Sequence, residues 1–177
     1  MEDAILIRRI KQGDESAFDA LVRRHYRNIY AFCYRRCGDA ALAADLTQEV
    51  FLRLVTAVGR YSATGKFTNY LLTIAGNVCN DHYRRKKPES VPLTEDTAVS
   101  DGAETQTLKN DSAENIRRAL ALLPDEQRDT VILRYWHDMK LRDIAAGVST
   151  ATAKSRLRLG TEKLRRLLEL EGEGYGY

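Results

Sequence analysis

The sequence has no long apolar run, three prolines, three cysteines and one tryptophan. No segment approaches the roughly 20 apolar residues of a membrane-spanning helix, so we expect no insertion into a membrane. The first stretch, MEDAILIRRIKQGDE, begins with acidic residues and has no long apolar core, which does not fit a signal peptide. We therefore expect a cytoplasmic protein. An odd number of cysteines also argues against a disulfide framework.

Motifs for catalysis are equally scarce. We find no phosphate-binding loop, no HExxH, no nucleophile motif and no glycine-rich dinucleotide loop. Asp45 and Glu49 could form an acid–base pair, but no histidine, lysine or metal motif accompanies them. The sequence therefore predicts a protein without catalytic residues, cofactor or bound metal.

One possible zinc site remains open. Cys33 and Cys37 lie one helical turn apart, as do Cys79 and His82, so four ligands could meet if the two helices pack together. The spacing is not the usual C-x-x-C pair, and small buried thiols beside a histidine are the simpler explanation. A zinc enzyme or zinc sensor is kept as an alternative.

Charge is unevenly distributed along the 177 residues, although the net charge is only +3. Residues 1–87 carry a net +6, residues 88–115 a net −6, and residues 116–177 a net +3. Two basic parts joined by an acidic strip suit a polyanionic partner such as nucleic acid.

The periodicity predicts an all-α fold of two small helical domains. The stretch PESVPLTEDTAVSDGAETQTLKND, residues 88–111, has no sustained apolar period and is predicted to be a flexible acidic linker. Helical patterns flank it, without strand-like alternation. We place the first domain at residues 1–87 and the second, with a helix-turn-helix, at residues 112–171. Helices are predicted near residues 2–12, 14–37, 39–59, 67–86, 112–123, 125–137, 140–146 and 149–170.

The segment DLTQEVFLRL, residues 45–54, has two different stripes when it is read as a helix. One stripe is apolar and suits a core. The other combines two carboxylates, an amide and a leucine, which suits a protein partner that brings basic groups and an apolar side chain. A solvated face with one stray leucine is the simpler alternative. The apolar stripe is Leu46, Val50, Phe51 and Leu54, and the mixed stripe is Asp45, Gln48, Glu49 and Leu52.

The C-terminal segment LRDIAAGVSTATAKSRLRLG predicts a helix-turn-helix. Gly147 permits the sharp turn, and Ser149 is a suitable N-cap for the next helix. One side of that helix carries small and basic residues, which suit the major groove of duplex DNA, while an amphipathic helix with a solvated basic face is the alternative. The groove side is Ala151, Lys154, Ser155 and Arg158, with Thr150, Thr152 and Arg156 near enough for phosphates.

A second nucleic-acid signal lies in KFTNYLLTIAGNVCNDHYRRKK. A polar stripe with Gly76 at its middle is followed by a basic cluster that suits phosphates. Aromatic and basic groups precede it on a loop, which is what holding an unstacked base requires. Core packing explains Phe67 equally well. The stripe is Thr73, Gly76, Asn77, Asn80 and Arg84, the cluster is Arg84 to Lys87, and the loop groups are Tyr61, Lys66 and Phe67.

From about Ala17 to Leu168 the sequence resembles bacterial sigma factors of the extracytoplasmic-function (ECF) group. The resemblance implies that the helix with Asp45, Gln48, Glu49, Phe51 and Leu52 binds the β′ clamp helices of RNA polymerase. It implies that IAGNVCNDHYRRKK reads the −10 promoter element, with Asn77, Asp81 and Arg84 at matching places beside Asn80 and Arg85. It also implies that the loop from Tyr61 to Phe67 catches a flipped base. LPDEQR, DIA and TAKSRL resemble the domain that reads the −35 element, and the linker resembles the strand in the RNA-exit path.

The expected partners are core RNA polymerase, through its β′ clamp helices and β flap, promoter DNA and an anti-sigma factor. Three departures from the family pattern are visible. Only two residues separate Ile144 from Gly147, where the family usually has about four, so the support helix should be short. Tyr70 replaces a usual tryptophan, and Leu159-Gly160 replaces Arg-Ala. A stand-alone helix-turn-helix regulator that binds operator DNA without polymerase is the main alternative.

Overall fold

The computed structural model describes residues 2–62, 65–86, 111–145 and 148–173, and within them every regular element is helical. The predicted all-α class is therefore confirmed. The predicted linker falls almost entirely outside the described residues, as does Gly147 of the predicted turn. The helices are α1 (Glu2–Lys11), α2 (Glu15–Cys37), α3 (Ala40–Ala57), α4 (Phe67–Lys86), α5 (Asp111–Ala121), α6 (Asp125–Tyr135), α7 (Leu141–Ile144) and α8 (Thr150–Glu173), with a 3₁₀ turn at Val58–Arg60.

Short polar side chains fix where the helices begin. The Asp14 carboxylate accepts from the Ala17 amide at 3.2 Å, and the Asp39 carboxylate accepts from the Leu42 amide at 2.7 Å. Each satisfies an amide that the first turn leaves without a partner. Gly38 ends α2 with φ 73°, a left-handed conformation that glycine adopts without strain. The junction from α2 to α3 is thus determined by local sequence.

The N-terminal half is built around α2, which packs against α1, α3 and α4. Its apolar stripe is fully buried, and the predicted core stripe of α3 is buried against it. Burying each such side chain stabilises the fold by roughly 1.5–3 kcal/mol relative to exposure. The largest buried side chains of this half include Leu21, Ile29, Phe32, Val50, Leu54, Leu71 and Leu72.

In the C-terminal half, a buried arginine satisfies the backbone where α5 ends. Arg128 on α6 donates to the carbonyl oxygens of Leu120 at 2.6 Å, Ala121 at 2.7 Å and Leu123 at 2.8 Å. These carbonyls lie at or just beyond the end of α5, where the regular helical hydrogen bonds stop, although the Leu123 amide also donates to the Leu120 carbonyl at 3.1 Å. Arg128 therefore fixes the angle between α5 and α6, and α8 packs on both helices.

The two halves are in contact through α2 and α6. The side chain of Arg36 on α2 is fully buried and lies 2.5 Å from the carboxylate of Asp129 on α6. The guanidinium of Arg36 also lies over the phenol ring of Tyr83, and the distance from Arg36 Cζ to the ring centroid is 5.0 Å. Nearby, His137 Nδ1 lies 3.0 Å from Asn28 Oδ1 on α2, and burial lowers the pKa of His137 to about 4. Polar groups thus join the halves as much as apolar ones do.

Gly160 lets α8 approach α6 closely. A Cβ atom at this position would lie 2.9 Å from Val131 Cγ2 and 3.2 Å from the Gln127 carbonyl oxygen. Gly76, in the middle of α4, has no such neighbour within 4 Å. Helix packing therefore requires Gly160, whereas no contact among the described residues requires Gly76.

We expect Gly160→Ala to lower the free energy of unfolding by about 1–2 kcal/mol, because overpacking outweighs the gain in helix propensity. Gly76→Ala is the matched variant and should raise it by about 0.5–1 kcal/mol through propensity alone. Urea unfolding followed by circular dichroism measures both. A Gly160→Ala protein as stable as the wild type would contradict the close approach of α8 to α6.

Candidate nucleic-acid interface and polymerase-docking face

The mixed stripe predicted on α3 is an exposed face of the molecule. Asp45 and Gln48 are exposed, and Leu52 is 63% exposed. Val55, one turn further, is 54% exposed and extends the apolar part of this face. The sequence analysis missed Val55, although its spacing of three from Leu52 places it on the same side. We call Asp45, Gln48, Glu49, Leu52 and Val55 the docking face.

Phe51 requires a correction, because it does not lie on the docking face. It is only 6% exposed and belongs to the core. Its ring stacks on Tyr26 of α2 with 6.3 Å between centroids. At position 51 the side chain points to the buried side of α3, as its place in the apolar stripe predicts. Phe51 therefore supports the docking face from behind and offers no surface to a partner.

Arg53 lies between the docking face and α4, and the sequence analysis did not identify it. Its Nε atom lies 2.9 Å from Glu49 Oε1, and its Nη1 atom lies 2.7 Å from Asp81 Oδ2. The hydrogen bond from Arg53 holds the pKa of Asp81 below its usual range. Glu49 is half-buried because of this pairing, whereas Asp45 remains exposed.

Helix α4 presents some of its predicted −10 residues to solvent and engages others within the chain. Asn77, Arg84 and Arg85 are exposed. Asn80 accepts a hydrogen bond from Arg36 Nη2 at 3.2 Å, and Asp81 is paired with Arg53. The three exposed residues are therefore available to a ligand, although Arg84 also lies 3.7 Å from Asp81. Asn80 and Asp81 are engaged within the protein. The wide space around Gly76 leaves this side of α4 accessible.

A cleft of about 700 Å³ opens beside the start of α4. Tyr61 and Lys66, both predicted, line it together with Tyr70, whose ring centroid lies 4.7 Å from that of Tyr61. Asn69 also lines the cleft and donates to Asp143 of α7 at 3.1 Å. The cleft thus combines aromatic faces, a cation and an amide. The sequence analysis missed Asn69, because an amide on the first turn of a helix has no distinctive pattern.

The recognition side of α8 is exposed as predicted. Ser149 caps the helix, since its hydroxyl oxygen accepts from the Thr152 amide at 3.1 Å. The preceding helix α7 has only one turn, in agreement with the short spacing seen in the sequence. Arg156 differs from its neighbours, because it is half-buried and lies 2.6 Å from Glu126 of α6. The exposed predicted residues are Thr150, Ala151, Lys154, Ser155 and Arg158.

The cysteines suggested for zinc are core residues. Cys33 and Cys79 are fully buried, and Cys37 is partly buried. Over residues 2–62, 65–86, 111–145 and 148–173, no three histidine, cysteine or acidic side chains are arranged to hold a metal ion. The structure therefore offers no observation in favour of the zinc alternative.

Two family models match the chain. The model described as sigma-70 region 2 matches residues 21–89, and that described as sigma-70, region 4 matches residues 113–164. The chain belongs to the sigma-70 family. Among curated proteins, the ECF RNA polymerase sigma factor SigW of Bacillus subtilis is 31% identical over 176 residues, covering 92% of this chain and 94% of SigW. The RNA polymerase sigma factor CarQ of Myxococcus xanthus is 35% identical over 173 residues, covering 93% of this chain and 97% of CarQ.

Solved structures agree with this fold. CnrH, solved with the cytosolic domain of CnrY, gives a TM-score of 0.70 at 22% identity, covering 96% of this chain and 99% of that one. The sigma factor RpoE of Bartonella quintana, solved with the anti-sigma factor NepR, gives a TM-score of 0.68 at 22% identity, covering 86% of this chain and 96% of RpoE.

The family models and the curated relatives confirm the expected function, an ECF RNA polymerase sigma factor.

None of the described helices in this ECF sigma factor combines the length and apolar character needed to cross a bilayer.

Proposed function

We propose that this ECF sigma factor binds core RNA polymerase through the docking face of α3. The observation that carries this assignment is the exposed Leu52 on one helix side with Asp45 and Gln48. An apolar side chain surrounded by acidic and amide groups complements a partner surface that brings basic groups and an apolar contact. The family resemblance implies that this partner surface is the β′ clamp helices.

We assign −10 recognition to the exposed side of α4 together with the cleft at its start. Asn77 supplies an amide for a base edge, and Arg84 and Arg85 supply charge for phosphates. The neighbouring rings of Tyr61 and Tyr70, with Lys66 beside them, suit a base that has left the stack. Holding such a base stabilises the separated strands, which is what promoter opening requires.

We assign recognition of the −35 element to α8. Ala151 and Ser155 are small and exposed, so the helix can approach the floor of the major groove. Lys154 and Arg158 lie on the same side and can reach guanine edges or phosphates. Thr150 suits a phosphate near the start of the helix. Arg156 would have to leave Glu126 to make the phosphate contact predicted for it.

The proposed roles follow the two predicted domains. Polymerase docking and −10 recognition are assigned to residues 1–87, and −35 recognition is assigned to residues 112–171. Residues 88–111 connect the two predicted domains, and the β flap is the proposed binding site of the second domain on polymerase.

We propose that the chain supplies no catalytic residue and acts in the cytoplasm. Because a solved relative was captured with an anti-sigma factor, we propose such a regulator here as well.

Reversing the charge of the docking face should abolish polymerase binding. In Asp45→Lys with Glu49→Lys, two attractive carboxylates become repulsive toward a basic partner, so we expect at least a hundredfold loss of affinity for core RNA polymerase. Asp45→Lys alone leaves the Arg53–Glu49 pair intact and should lose at least tenfold. Fluorescence anisotropy of the labelled protein with purified bacterial core enzyme measures these affinities.

Glu15→Lys with Asp19→Lys is the matched control. These residues are exposed on α2 with the same spacing of four, so the change in net charge is identical. Affinity within threefold of the wild type is expected. Equal losses in both double variants would mean that net charge, and not the docking face, governs binding. A folded wild type that does not bind core enzyme would favour the operator-binding regulator.

Removing the two basic groups of α8 should weaken −35 recognition. We expect Lys154→Ala with Arg158→Ala to cost about 1–3 kcal/mol for each lost base-edge contact, and less where the contact is to phosphate. The measurement is binding of the variant holoenzyme to duplex promoter DNA at fixed salt, since affinity depends steeply on salt. The DNA is a promoter selected from a random-sequence library by the wild-type holoenzyme.

Lys163→Ala with Arg166→Ala removes the same charge from the exposed distal part of α8. This control should weaken binding much less, because those residues lie beyond the proposed groove contacts. A loss as large as that of the first pair would show that α8 contributes only general electrostatic attraction. No loss in either pair would place the groove contacts elsewhere.

A further inference from the structure

One arginine connects the two proposed interfaces of the N-terminal half. The Arg53 guanidinium lies 2.9 Å from Glu49 on its own helix and 2.7 Å from Asp81 on α4. Glu49 belongs to the docking face, and Asp81 lies on the helix assigned to the −10 element. A planar guanidinium can bind two carboxylates in fixed directions at once, which a lysine ammonium does not do.

The connection continues beyond Asp81 to a residue that is free to meet DNA. The other Asp81 oxygen lies 3.7 Å from Arg84 Nη1, and the Arg84 side chain is 80% exposed. Four alternating charges therefore run from the docking face across to the −10 side of α4, in the order Glu49, Arg53, Asp81 and Arg84. Asp81 therefore has an arginine on each side, Arg53 at hydrogen-bond distance and Arg84 in a longer ion pair.

A surface ion pair contributes roughly 0–1 kcal/mol to stability, so each of these pairs taken alone adds little to the stability of the fold. Its geometry serves another purpose. Glu49 and Asp81 come from different helices, and Arg53 fixes the distance between them. Arg84 is long and exposed, so without Asp81 it would have many rotamers and would lose more entropy on binding DNA.

We propose that Arg53 is a positioning residue, which holds Asp81 and thereby Arg84 in a fixed place relative to the docking face. The −10 side of α4 is thus aligned with polymerase before DNA arrives. Asp81 acts within the protein and does not contact DNA. This inference rests on the proposed function of the two faces.

The test is a double-mutant cycle with Arg53→Gln, Asp81→Asn and the double variant, because residues that act as a unit give non-additive losses. Arg23→Gln is the control, since Arg23 is an exposed arginine of α2 outside both interfaces. Two quantities are measured: affinity for core RNA polymerase, and the rate of strand opening at a promoter selected by the wild-type holoenzyme, followed by 2-aminopurine fluorescence within its −10 element.

We expect each single variant to slow opening about tenfold, while polymerase affinity stays within threefold of the wild type. The double variant should be no slower than the slower single variant, and Arg23→Gln should match the wild type. If the double variant slowed strand opening by the product of the two single losses, the proposal would be overturned. It would also be overturned if Arg53→Gln opened the promoter at a rate within threefold of the wild type. A parallel loss of polymerase affinity would place Arg53 in the docking contact instead.

Amide hydrogen exchange of the free protein gives a readout that is independent of polymerase. Arg53→Gln and Asp81→Asn should each speed exchange over residues 80–86 at least fivefold, while Arg23→Gln leaves it unchanged. Unchanged exchange in Arg53→Gln would overturn the positioning role, whether or not polymerase binds. If the wild type does not bind polymerase, the proposed function is wrong. The hydrogen-exchange measurement would still decide whether Arg53 orders residues 80–86 of α4.

Discussion

The buried guanidinium of Arg36 is the constraint around which the two halves of this protein are arranged. A full positive charge without solvent is costly unless a carboxylate neutralises it, and Asp129 of α6 does so at 2.5 Å. The same guanidinium reaches Asn80 and covers the ring of Tyr83, so it also fixes the end of α4. Burial raises the pKa of Asp129 to about 6, against the pull of Arg36. Helix α4, which carries the predicted −10 residues, and helix α6, which supports α8, therefore share one electrostatic centre.

Helix α3 shows how a sigma factor uses one element for two purposes. Its apolar stripe stabilises the core, and its opposite side remains exposed for a partner. Phe51 and Leu52 are adjacent in sequence, but one is 6% and the other 63% exposed. Because successive helical residues are rotated by about 100°, neighbours can serve the fold and the interface separately. Because a packed core lies behind the docking face, we expect the proposed docking to require little reorganisation of α3.

Local patterns predicted most of the fold because helices depend on near neighbours. Apolar periodicity predicted the helices, and the structure adds that Asp14 and Asp39 cap two of them and that Gly38 ends one, which are likewise interactions between near neighbours. The exposed sides of α3 and α8 followed from the same periodicity. The role of Gly160 did not, because its reason is the proximity of Val131, which lies 29 positions earlier in the sequence. Arg53 was missed for a similar cause, since its second partner lies on another helix.

The sequence by itself determined that this chain is helical, which sides of α3 and α8 are mainly exposed, and that its motifs are those of an ECF sigma factor. These properties depend on residue type and on spacings of three or four. Only the tertiary structure decided which polar residues are free. Asn77 and Asn80 are both amides on the polar stripe of α4, yet Arg36 engages only Asn80. Pairings between distant helices depend on packing angles and distances, and no local pattern encodes them.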